Sequence, residues 1–142
     1  MFKLLIAVDG SGHAHRAIDA VAKLAQSSVE LEAVLLHVSP EPIFYGDYSV
    51  NTIQSIQEGQ LIRQNKVLKE ATNYALARGL TISKSHRATG VIAHQILRVA
   101  NDLAVDQIAM GTRGMGSVGN LFLGSVAQRV VHHASVPVLL VK

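Results

Sequence analysis

With 142 residues, 49% of them apolar and 16% charged, the chain carries enough apolar surface for one folded core and too little charge for a disordered tail. The absence of cysteine excludes a disulfide framework, cysteine-ligated metal and thiol catalysis. A net charge of +3 is scattered rather than gathered in a basic run, and three Phe, three Tyr and no Trp leave little to stack on bases, so no nucleic-acid partner is expected.

Lys3–Val8 is a compact apolar run, read as a strand that ends at the turn signal Asp9-Gly10-Ser11-Gly12. The run is too short for a signal sequence or a membrane span, and no other stretch approaches one; a soluble cytoplasmic protein is expected. Ala14, Ile18, Val21 and Ala25 share one helical face, which predicts a helix over 14–25. Leu31–Val38 reads as a second buried strand, halted by Ser39-Pro40-Glu41-Pro42, and residues 43–50 as a loop. Leu61, Leu68, Ala71 and Ala75 predict a long helix from about Asn51 to Arg78, loosened near Gly59 and closed by Gly79.

Leu80–Arg87 alternates like a strand near a sheet edge, and Ile92, Ile96, Val99 and Leu103 form the core stripe of a helix over 89–103. Asp106–Gly111 is a fourth strand. Thr112–Leu123 is a Gly-rich loop, Gly124 to about Ala134 a short helix, and Val136–Val141 a last strand. Strands alternating with helix-length connections predict one α/β domain over 1–142: an open, doubly wound parallel sheet with helices on both faces. Ligands in such sheets bind outside the carboxyl ends of the strands.

Gly111, Gly114, Gly116, Gly119 and Gly124 crowd into fourteen residues between a strand and a helix. Such a loop lets a ligand approach bare backbone, and the helix start at Gly124-Ser125 favours an anion. A Walker A loop requires Lys where Ser125 stands, and Gly114–Gly119 matches the dinucleotide fingerprint without an acid for the ribose after it; neither reading is adopted. Asp9 either caps the first helix or meets a ligand, Ser125 is a phosphate donor or a first-turn residue, and Arg113 reaches a phosphate or points to solvent. His13 with His15 and His132 with His133 have the wrong spacing for two ligands on one helix face, so no dedicated metal site is expected. His37 is read as a satisfied sheet residue.

Gly111-x-x-Gly114, nine residues and then Gly124-Ser125 resembles the ATP-binding signature of the universal stress protein family. Ile6–Ser11, Leu36-His37-Val38, Asp106–Gly111, Gly124–Ala127 and Pro137–Val141 resemble further blocks of that family in order, so the likeness covers essentially the whole chain. The resemblance implies a five-stranded sheet of order 3-2-1-4-5. It implies ATP, or ADP or AMP, with Ala7, Asp9, Leu36, Val38 and Met110 around adenine and ribose, and Val38 contributing backbone contacts. Gly111, Gly114, Gly124, Ser125 and Val126 would hold the phosphates, with Mg²⁺ or Mn²⁺ riding on them. It also implies a homodimer across the apolar edge strand Val136–Val141; an exposed apolar edge invites such pairing, the alternative being a helix or loop that covers it.

Phosphoryl transfer needs groups that position the attacking atom and stabilise charge, and the loop offers neither Lys nor acid, so a binder with at most weak hydrolysis is expected. The rivals are a nucleotide hydrolase or adenylyl-transferring enzyme on the same sheet, a dimeric protein-binding module with a vestigial loop, and an energy sensor whose true ligand is AMP or another adenylate.

Overall fold

A computed structural model of the chain describes residues 1–27, 30–114 and 122–142. Its elements run β1 (Phe2–Ala7), α1 (Gly12–Ala25), β2 (Leu31–Ser39), α2 (Val50–Ala77), β3 (Ile82–Thr89), α3 (Ile92–Asp102), β4 (Gln107–Gly111), α4 (Ser125–His133) and β5 (Val138–Val141). The strands form one parallel sheet in the order β3-β2-β1-β4-β5. This is the order the resemblance implied.

Both faces of the sheet are covered, which is why the central strands are apolar at successive positions rather than alternately. Leu4, Ile6, Leu35 and Ala109 pack on α1 and α2, whereas Leu5, Val34, Leu36, Ile108 and Met110 pack on α3 and α4. Leu4, Leu5, Ile6, Leu35, Leu36 and Ile108 are fully buried. Burying one such side chain stabilises the fold by about 1.5–3 kcal/mol, so these residues pin the register of the sheet.

Local chemistry sets the helix ends. Ser11 caps α1, its hydroxyl accepting from Ala14 N–H at 3.2 Å, and Asp9 Oδ1 accepts from Ser11 N–H at 2.9 Å. Asp9 therefore braces the cap and is not itself the cap. Gly79 takes φ +77° after α2; its N–H bonds Leu76 C=O and Leu80 N–H bonds Ala75 C=O, a Schellman ending. Gly59 sits inside an unbroken α2, since the helix continues on both sides of it.

Two helix starts depart from the sequence expectation by two residues or more, and β3 and β5 each begin two residues later than expected, at Ile82 and Val138. Thr89 belongs to β3, not to the following helix, because Gly90 N–H continues the rung to Ser39 C=O at 2.9 Å. Gly90 at φ +142° then turns the chain, and α3 begins at Ile92. In addition, α1 begins two residues early, at Gly12, because its cap lies at Ser11.

Candidate functional site

The chain leaves β1 toward β2 and leaves β4 toward β5, on opposite sides of the central pair. A crevice therefore opens at the carboxyl ends of β1 and β4, the switch point of a doubly wound sheet. A cavity of about 310 Å³ occupies it. That volume is within the usual range for a small-molecule site.

Three parts of the chain build this cleft. The strand ends supply Ala7, Asp9, Leu36, Val38, Met110 and Gly111. The start of the glycine-rich loop supplies Arg113 and Gly114, and the first turn of α4 supplies Gly124, Ser125 and Val126. All eleven residues singled out from the sequence thus line one cavity. Gly116 and Gly119 lie outside the described residues.

The loop is anchored at both ends. Thr112 N–H bonds Val141 C=O at 2.9 Å, and Gly124 N–H returns to Thr112 C=O at 2.7 Å. Gly124 is the N-cap of α4 and has no side chain to offer the first turn. The N–H groups that no helix satisfies within itself therefore open on the cleft lined by Ser125, Val126 and Ala127. Together with the helix dipole they make a seat for an anion, and Arg113 is the only cationic side chain lining the cleft among the described residues.

Gly111 and Gly114 matter through the space they leave, since neither adopts positive φ. A Cβ on Gly111 would lie 2.6 Å from His13 Cβ and 2.9 Å from the His13 carbonyl carbon, so β4 packs its bare backbone on α1. Gly111 thus has a structural duty whatever the cleft binds. A Cβ on Gly114 would lie 2.5 Å from Asp9 Oδ2, which places the only carboxylate lining the cleft, among the described residues, hard against the loop.

The cleft also contains residues the sequence reading put elsewhere. Ile92 and Ile96, assigned to the core, reach its wall as well, and Ser39, Pro40 and Thr112 complete it. His37, read as a sheet residue, is buried beneath the cleft and bonds the Val8 carbonyl through Nδ1 at 2.7 Å. The sequence signal for His37 was its place at the end of β2, in the apolar run that supplies Leu36 and Val38. Among the described residues no helix is long and apolar enough to cross a membrane.

A model of the Universal stress protein family matches residues 1–142. The chain belongs to the universal stress protein family. Among its relatives, the universal stress protein in the QAH/OAS sulfhydrylase 3′ region of Thermus aquaticus is 40% identical, over 100% of both chains. Universal stress protein MJ0577 of Methanocaldococcus jannaschii is 28% identical over 99% of this chain and 94% of its own. The solved MJ0577 structure superposes with a TM-score of 0.80, covering the same shares at 27% identity. An Arabidopsis thaliana universal stress protein family structure with AMP bound covers 100% of this chain and 92% of its own, with a TM-score of 0.71; at 20% identity that likeness is one of fold.

Proposed function

We propose that this universal stress protein binds ATP in the cleft at the carboxyl ends of its strands, and that binding rather than turnover is its principal act. The observation that carries the reading is the α4 N-terminus. Gly124 leaves its first turn open on a cavity that also holds Arg113 and an apolar wall of Leu36, Val38, Met110 and Ile92. An apolar slot beside an anion seat suits a base joined to phosphates. The Arabidopsis protein with AMP bound has the same fold, which is consistent with an adenylate here.

Mg²⁺ or Mn²⁺ would ride on the phosphate oxygens. Asp9 is the only carboxylate lining the cleft among the described residues, too few for a protein cage but sufficient beside a phosphate-held ion. The same scarcity of charged groups argues for at most weak hydrolysis.

Thermal unfolding with and without Mg-ATP, ADP or AMP tests the reading. A ligand at 100 times its Kd adds roughly 2.7 kcal/mol, a shift of about 5–10 °C for a domain of this size. The shift should vanish in Gly114→Val/Gly124→Val. A wild-type protein that is free of nucleotide and shows no shift would leave a dimeric interaction module as the better account.

The protein is further proposed to act in the cytoplasm, as one domain spanning 1–142 and as a homodimer across β5. Among the described residues that strand pairs only with β4, and Val141 and Pro137 direct their carbonyls inward to it, so Val138 and Leu140 direct their amides to the open edge. Leu140→Pro removes an edge amide and spares the β4 rungs. It should convert a dimer to a monomer in light scattering; an unchanged mass would exclude this edge as the interface.

A further inference from the structure

We infer that His37 is a positioning residue that holds the end of β2 open to read the edge of a 6-aminopurine, an inference that rests on the nucleotide reading of the cleft. The β1–β2 ladder stops short of the end of β2, its register closing at Ala7 with Leu36 while β2 runs on to Ser39. Val8 N–H bonds Leu36 C=O at 2.9 Å, the last backbone rung between the two strands. In a parallel ladder alternate residues face the same neighbour, so Val38 directs its N–H and C=O to the β1 side, as Leu36 does. The next rung would join Val38 N–H to Val8 C=O.

The His37 side chain takes that rung. Its Nδ1 lies 2.7 Å from Val8 O, and because a carbonyl can only accept, Nδ1 carries the hydrogen. Nε2 faces Ser39 Oγ at 3.4 Å, and both groups are buried. Gly10, at φ +84°, turns the chain away immediately afterwards. Among the described residues neither backbone group of Val38 then has a hydrogen-bond partner, and Val38 lines the cleft.

Buried backbone groups are rarely left unpaired, so this donor and acceptor mark a place for a ligand with the opposite pattern. The N1 acceptor and N6 amino donor of adenine supply it. A 6-oxopurine presents N1–H and O6, the reverse pattern, and would set donor against donor and acceptor against acceptor.

The test titrates ATP and ITP, its 6-oxo counterpart, into the wild-type protein, His37→Leu and His37→Asn. Asn carries an amide donor close to the Nδ1 position; Leu carries none. The wild type and His37→Asn should prefer ATP by about tenfold or more, the scale of a buried polar group left unpaired. In His37→Leu, Val8 C=O is free to pair with Val38 N–H, and the preference should fall to about threefold or less. A merely structural histidine would lower stability and weaken both ligands alike, and an unchanged ATP/ITP ratio in His37→Leu overturns the inference. Amide exchange in the wild type gives a second test that no variant can spoil: Val38 N–H should exchange much faster than Leu36 N–H without nucleotide and become protected with Mg-ATP. Equal protection without nucleotide overturns the inference. If the wild type binds neither nucleotide, the reading of the cleft falls and this inference falls with it.

Discussion

A side chain on Gly114 would begin 2.5 Å from Asp9 Oδ2, so the end of β1 and the start of the glycine-rich loop meet only because one of them is bare. Gly114→Ala must push the carboxylate aside or shift the loop, at a cost of about 1–3 kcal/mol. In an Asp9→Ala background the same substitution should cost about 1 kcal/mol less, because the atom it strikes is gone. Urea denaturation of the four proteins measures the difference. Strict additivity would show that the two residues do not constrain each other.

Gly111 meets a harder neighbour. The atoms a Cβ would strike are His13 Cβ and the His13 backbone, and a helix backbone cannot rotate out of the way. Gly111→Ala should destabilise by about 1–3 kcal/mol with or without nucleotide, and His13→Ala should not relieve it, since the Cβ remains. Full recovery in the double variant would mean that the outer imidazole atoms make the conflict.

These two glycines mark how far the sequence could be read. The apolar runs at 4–8, 33–36 and 108–110 announced buried strands because burial on both faces leaves no polar alternation within them. The residues around the cleft were legible because Gly111, Gly114 and Gly124 fall at a fixed spacing between a strand and a helix. The reason for Gly111 was not legible: it lies in His13, nearly one hundred positions earlier, and only packing brings them together. The start of α3 was misplaced for a similar reason, since Thr89 is held in β3 by its pairing with Ser39, fifty positions earlier. The duty of His37 was hidden because a histidine in a strand looks the same whether its ring meets a side chain or completes a backbone ladder.

Ala104 takes φ +50° at the end of α3, where its N–H bonds Asn101 C=O and Val105 N–H bonds Ala100 C=O. This is the ending that α2 makes with Gly79, built here with a side chain in the left-handed region. That conformation costs an L-residue about 1 kcal/mol, so Ala104→Gly should stabilise the protein by about 0.5–1 kcal/mol despite the looser unfolded chain. Chemical denaturation checks it. A loss of stability would show that the Ala104 methyl group packs well enough to offset the strain.

Tyr74 fastens α2 to α1. Its ring stacks on His15 with centroids 4.4 Å apart, the Arg78 guanidinium lies 3.3 Å from its centroid, and its hydroxyl donates to Asp19 Oδ2 at 3.0 Å. Burial, and then the hydrogen bond to Asp19 and its negative charge, hold the phenol above its ordinary value near 10. A raised folded value favours the protonated form in the fold. The resulting stability is fully present below about pH 10 and is lost as pH rises through the raised value. Tyr74→Phe should therefore be the less stable protein at pH 8, and its deficit should shrink in alkali. Denaturation at pH 8, 10 and 11 reads the two slopes; parallel slopes would mean that Tyr74 titrates as it does in the unfolded chain.

Gly124 separates a phosphate site from a vestigial loop. Its φ of −68° and ψ of 161° are open to any residue, so glycine is not required there by the backbone. Asp is a better N-cap than Gly, and its charge complements the helix dipole, so Gly124→Asp should raise the stability of the nucleotide-free protein by about 0.5–1 kcal/mol. The same carboxylate would occupy the amides of the first turn and repel phosphate, weakening ATP by about tenfold or more. A cap chosen for folding alone would carry the stronger residue; a cap left bare for a ligand trades that stability for an anion seat. Thermal unfolding without nucleotide and calorimetric titration with Mg-ATP give the two signs. Greater stability with undiminished ATP affinity would move the phosphates away from α4, and with them the reason for leaving its first turn open.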